Sequence, residues 1–205
     1  MTPLAQSLRL PCRHCSHCVA LAGLSAALAA QAESNLSSAP AGTSAGLSAS
    51  SRLDFRVVIP TVLFMQVGTG SAFADNTTVD RVEFNVPVGD VGTGNATPAS
   101  AGAGLVPVSA RLVTNGNSVS LTARGTAGGL SDGVQSIPWS QIVASASGNL
   151  PHPAIGDGVP GGATNLLAAG GVVDRSATWN FSYSNAQTKS AGAYNGRVIY
   201  TAVLP

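Results

Sequence analysis

Between positions 177 and 184 the chain alternates, with Ala177, Trp179, Phe181 and Tyr183 set against Thr178, Asn180, Ser182 and Ser184. A period of two sends alternate side chains to opposite faces, so the segment predicts a β-strand with one apolar and one wet face. The closing run repeats the pattern. Tyr194, Gly196, Val198, Tyr200, Ala202 and Leu204 share one side, opposite Asn195, Arg197 and Thr201, while Ile199 and Val203 make that second side less polar. Upstream, Leu53, Phe55, Val57 and Ile59 alternate with Asp54, Arg56 and Val58, and Pro60 removes a ladder donor where this first strand must end, bend or lie at an edge. Residues 62–67 form a short continuous apolar run closed by Gly68-Thr69-Gly70, and Val82, Phe84, Val86 and Val88 alternate with Arg81, Glu83, Asn85 and Pro87. Both read as strands. Val-Gly-Thr-Gly occurs at Val67 and again at Val91, each read as a turn at a strand end.

Asn115-Gly116 separates residues 106–114 from 117–124, two further alternating runs. A two-residue type I′ turn at that dipeptide would fix a hairpin register, placing Leu112 opposite Val119, Ala110 opposite Leu121 and Val108 opposite Ala123. Residues 90–104 and 125–133 read as loop and turn, and 137–143 as a strand with Pro138 near its start. Residues 149–162, with three prolines and four glycines, read as a surface loop. Residues 165–173 suit a strand better than a helix because Gly170-Gly171 interrupts them. In total this predicts about seven to eight short strands with frequent turn signals, the pattern of an all-β antiparallel sandwich.

Composition narrows the function classes. Charged residues are 9% of the 205 and the formal net charge is +1, so neither a basic nucleic-acid surface nor an acidic metal buffer is indicated. The 24 glycines fit a turn-rich chain. The beginning is different material. Arg9 and Arg13 precede an apolar run over 18–30, and Ala30-Gln31-Ala32 offers small residues for a signal peptidase. This predicts a secretory signal peptide over 1–32 with cleavage after Ala32, since the apolar run is shorter than the about 18 residues a spanning helix needs. Residues 33–51, rich in Ser, Ala and Gly, then read as a flexible leader, and 52–205 as the sandwich domain. The expected location is the periplasm, the cell surface or the extracellular space, with no membrane span in the mature chain.

Few residues suggest chemistry. Cys12, Cys15 and Cys18 have the spacing of soft-metal ligands, but all three fall in the segment expected to be removed, and no cysteine follows them. Gly156-Asp157-Gly158-Val159-Pro160-Gly161 has the letters of a dinucleotide fingerprint without the strand before or the helix after that the chemistry requires. His152 stands between Pro151 and Pro153 with no nucleophile motif to serve, and Glu83 lies beside Arg81 on a polar strand face. No cofactor and no enzymatic activity are expected. Trp139 is the candidate ligand contact, because an exposed indole can stack on a sugar.

The bend Ala191-Gly192-Ala193 before Tyr194 resembles the tyrosine corner of immunoglobulin-like domains, in which the ring packs inward and the hydroxyl returns to backbone upstream. Together with the leader, the low charge and the closing sequence Ala191-Gly192-Ala193-Tyr194-Asn195-Gly196-Arg197-Val198-Ile199-Tyr200, it resembles bacterial secreted surface proteins of immunoglobulin-like type, fimbrial subunits and WxL-type proteins among them. The resemblance covers about the last 30 residues. No Trp-x-Leu is present, as Trp139 precedes Ser140-Gln141 and Trp179 precedes Asn180-Phe181. It implies an exported, non-enzymatic structural or adhesive protein. The alternating runs themselves mark Trp179, Phe181, Tyr183, Tyr194 and Tyr200 as structural residues, beside the Asn115-Gly116 turn. Partners would be other copies or surface subunits joined by strand addition, and residues 53–59 could be either the protein's own first strand or the donor. The alternative is a secreted carbohydrate-binding module using Trp139 on a glycan.

Overall fold

The computed structural model describes residues 33–43, 46–100 and 106–205. The expected signal peptide with its expected cleavage point after Ala32, and the three cysteines, therefore lie outside the described residues. The chain divides into two compact units, Met1–Val58 and Ile59–Pro205. In the first, the described residues are all exposed and form neither helix nor strand, and Glu33 pairs with Arg52 at 3.0 Å.

The second unit is an all-β sandwich. Among the described residues its strands are β1 (Leu63–Val67), β2 (Thr97–Pro98), β3 (Val108–Thr114), β4 (Ser118–Gly125), β5 (Leu130–Ser131), β6 (Ser136–Ile137), β7 (Ile142–Gly148), β8 (Ile155–Asp157), β9 (Thr164–Leu167), β10 (Val173–Tyr183) and β11 (Val198–Val203). The count exceeds the expected seven or eight because several short pairings carry too few residues to show a period. One layer holds β1, β3, β10, β2 and β7, with β10 central, and the other holds β11, β4, β8 and β9, while β5 and β6 pair in a separate two-stranded sheet. All pairings are antiparallel except that between β4 and β8.

Alternation decides what is buried. Val108, Ala110 and Leu112 of β3 and Val173 and Trp179 of β10 meet Val119 and Leu121 of β4 and Leu166 of β9 in one cluster. Leu112 and Leu121 are 0% exposed, each stabilising the fold by roughly 1.5–3 kcal/mol relative to an exposed position.

The same residues correct the expected hairpin. β3 and β4 belong to different sheets, so Asn115-Gly116 joins the two layers instead of turning back within one. β3 already has β1 on one side and β10 on the other, with Leu112 registered against both Met65 and Arg175, which leaves no edge for β4. A type I′ turn needs positive φ at both central residues, and neither Asn115 nor Gly116 has it. The Asn115 side chain instead accepts from Val62 N at 2.8 Å and donates to Pro60 O at 2.7 Å, tying the corner to the chain entering β1. The alternation that fits two paired strands equally fits two strands facing one another across a core.

Two other expected strands are absent. Leu53, Phe55, Val57 and Ile59 are 74% to 87% exposed and carry no ladder pairing. Residues 82–88 also lack a ladder, although Val82, Phe84 and Val86 turn a half-buried side inward and Val88 opens a 3₁₀ turn, Val88–Asp90. The backbone there is anchored at Ser100, whose N–H donates to Glu83 O at 2.7 Å and whose Oγ accepts from Asn85 N at 3.0 Å. The expected strand over 137–143 is broken by a 3₁₀ turn, Trp139–Gln141, and resumes as β7. The expected loop over 149–162 contains β8 and sends Leu150 into the core. Residues 164–167 are strand, followed by a turn in which Gly170 and Gly171 have φ of 66° and 83°.

Candidate functional site

An aromatic group fills one part of the inter-sheet space. Trp179, 0% exposed, donates its indole N–H to Leu150 O at 2.9 Å, and its ring lies 5.2 Å from that of Tyr200. His152 stands edge-on to Trp179, Phe181 and Tyr200, with centroid separations of 4.7, 5.2 and 5.5 Å. Its Nε2 meets Tyr200 Oη at 2.8 Å, a hydrogen bond that either neutral tautomer can make. Burial disfavours the imidazolium and pushes His152 down to about 4, against a smaller opposing contribution from the Pro153 backbone. Burial also pushes the Tyr200 phenol up. His152 is thus a loop residue, as its proline neighbours suggest, but one whose half-buried ring packs on the aromatic group instead of standing in solvent. Among the described residues no carboxylate bonds to it, so the pair has the form of a satisfied internal contact.

Beside this group lies a cleft of about 500 Å³ between the sheets. One wall follows a diagonal across the inner face of the first sheet, through Val67 of β1, Val108 of β3, Phe181 of β10 and Ile142 of β7. Ile155 of β8 and Val198 and Tyr200 of β11 form the facing wall. Residues 78–84 border it without joining either sheet. Three charged residues stand at its rim. Asp80 accepts from Thr69 Oγ1 at 2.9 Å and Arg81 pairs with Glu83 at 2.9 Å. The Arg197 guanidinium has no ion-pair or hydrogen-bond partner among the described residues, although its backbone N–H donates to Thr126 Oγ1 at 2.9 Å.

Trp139 occupies one end of the cleft in a setting different from the expected sugar platform. It is 7% exposed, its indole N–H donates to Thr126 O at 2.7 Å, and its ring rests on backbone at two glycines. A Cβ on Gly125 would come within 2.2 Å of its Nε1, and one on Gly196 within 3.0 Å of the ring. The platform is missing because packing on glycine backbone covers the face that a sugar would need.

Tyr194 also differs from its expected place. Its hydroxyl does return upstream, donating to Ser190 O at 3.1 Å, but the ring is half-exposed and stands outside the core cluster, and the strand begins only at Val198. Trp179 and Tyr183 are buried, Phe181 and Tyr200 pack against the core, and Asn115 and Gly116 form the inter-sheet corner. The structure therefore brings Trp139, Phe181 and Tyr200 to one cleft. The Gly156 to Gly161 sequence leaves β8 at Asp157 and bends so closely back that a Cβ on Gly161 would meet Ala154 O at 2.0 Å, with no helix following it. Among the described residues no group of three or more His, Cys, Asp or Glu is placed to hold a metal, and no helix is long and apolar enough to cross a membrane. No protein-family model, curated protein or solved structure matches the chain.

Proposed function

We propose that this is an exported, non-enzymatic structural protein of the bacterial surface, resembling fimbrial subunits, which joins copies of itself or other surface subunits by strand addition. The observation that carries the reading is the state of residues 53–59. Leu53, Phe55, Val57 and Ile59 keep strand periodicity, are 74% to 87% exposed and have no strand partner among the described residues. An unpaired apolar strand in water is a segment suited to completing another sheet. The sandwich supplies acceptors for it, because among the described residues β7 pairs only with β10 and β11 only with β4. Strand addition uses backbone groups for affinity and alternate side chains for register.

The test uses the chain from Glu33 onward and the double variant Phe55→Asp, Val57→Asp, both positions being exposed and neither belonging to the core cluster. The expected result is concentration-dependent oligomers in light scattering for the unsubstituted chain, lost in the variant while its thermal unfolding stays unchanged. A monomer at every concentration, or oligomers that survive the double substitution, would remove strand donation by this segment.

A further inference from the structure

We propose that the cleft between the sheets binds a single-chain aliphatic carboxylate, with the hydrocarbon lying along Val67, Val108, Phe181 and Ile142 and the carboxylate on Arg197. Its volume of about 500 Å³ lies in the usual range for small-molecule pockets, about 300–1,000 Å³. The shape is a slot. Its wall crosses four neighbouring strand positions, from β1 through β3 and β10 to β7. At about 4.8 Å per strand that is at least roughly 14 Å of length, between sheets stacked about 10 Å apart. A long, narrow ligand fits such a space, whereas a compact ring system would leave its ends unfilled.

Polarity fixes the rest of the ligand. The slot's walls are aliphatic and aromatic, and the Trp139 indole N–H and the Tyr200 hydroxyl are already committed to Thr126 O and His152. A sugar would have its hydroxyls desolvated without partners there, which is costly. A methylene chain loses nothing by it. At the rim, Asp80 is held by Thr69 and Arg81 by Glu83, and Arg197 is the one of these three charges without a partner among the described residues. Its planar guanidinium can take a carboxylate with two parallel hydrogen bonds. Residues 78–84 leave this slot bordered by backbone outside both ladders, so a chain can enter without breaking a sheet.

The inference stands apart from strand addition, since it uses none of residues 53–59. It is tested by titrating the full chain with octanoate, decanoate and dodecanoate below their micelle concentrations, with 1-dodecanol as the uncharged comparison, by calorimetry. Binding of one ligand per chain should tighten about fourfold for each added methylene, the factor expected for burying hydrocarbon. Arg197→Gln should weaken dodecanoate about tenfold and leave 1-dodecanol unchanged. Val79→Asp, which puts a carboxylate at a 68% exposed rim position, should act in the same selective way. Absence of saturable binding, affinity independent of chain length, or equal effects of Arg197→Gln on acid and alcohol would each overturn the proposal. Because both substituted residues are exposed, a folded variant is expected, and a thermal melt confirms it.

Discussion

β10 and residues 53–59 carry the same period of two, with large apolar side chains at every second position, yet Trp179 is wholly buried and Phe55 is 87% exposed. The difference lies in their surroundings. β10 has β3 and β2 on one side and β7 on the other, so its backbone groups are bonded along its length and its apolar face meets the second sheet. Residues 53–59 have neither. Alternation states that a segment could be half-buried; neighbouring edges and an opposing layer decide whether it is. Residues 82–88 fall between these cases, with Val82, Phe84 and Val86 half-buried and their backbone held to Ser100 at Glu83 and Asn85.

The contrast can be broken most sharply by truncating one ring in each region. Trp179→Ala should cost about 3–5 kcal/mol in urea unfolding, a large share of a typical domain's stability. Phe55→Ala in the monomer should cost less than about 0.5 kcal/mol. Comparable losses at the two sites would mean that residues 53–59 are part of the folded core.

A second effect tests the aromatic group against which Trp179 packs. His152 binds a proton more weakly in the folded chain, at about 4, than at its ordinary 6.5. The unfolded chain therefore takes up more protons in that window, and stability is complete above about pH 6.5 and falls as pH drops towards 4. His152 keeps some solvent exposure, and with that screening the loss amounts to about 2 kcal/mol. His152→Phe should flatten this part of the pH profile when urea unfolding is repeated from pH 4 to 7. An unchanged slope would show that other groups set it.

The smallest effect concerns the corner. Asn115→Ala removes the hydrogen bonds to Val62 N and Pro60 O and should cost about 1–2 kcal/mol. Replacing Asn115-Gly116 by D-Pro-Gly, which favours a tight hairpin, should destabilise the protein further, because β3 and β4 lie in different sheets. Stabilisation by that replacement would restore the hairpin.

Parity was legible in the sequence wherever a strand has one buried face. The inward residues of β3, β4, β10 and β11 are those the alternation selects. Sheet membership was not legible, because Leu112 and Val119 are buried whether their strands lie side by side or face to face. The cleft was hidden for a related reason. Its lining comes from strands far apart in sequence, and Trp139 reaches it only because Gly125 and Gly196, 71 positions apart, both lack a Cβ at the same ring. His152 left one trace. Leu150 and Ile155 make its proline-flanked segment more apolar than a solvated loop requires, and both prolines restrict the backbone that delivers the imidazole inward.

The distinction between β10 and residues 53–59 is tested most directly by amide hydrogen exchange measured at two protein concentrations. At high dilution the amides of Val57, Val58 and Ile59 should exchange at the rate of an unstructured peptide, while those of Ala177 through Phe181 stay protected. At a concentration where light scattering shows oligomers, the amides over 53–59 should become protected as well. Protection of 53–59 at every dilution would contradict the account by making the segment the monomer's own strand, and free exchange in the oligomer would contradict its role as donor.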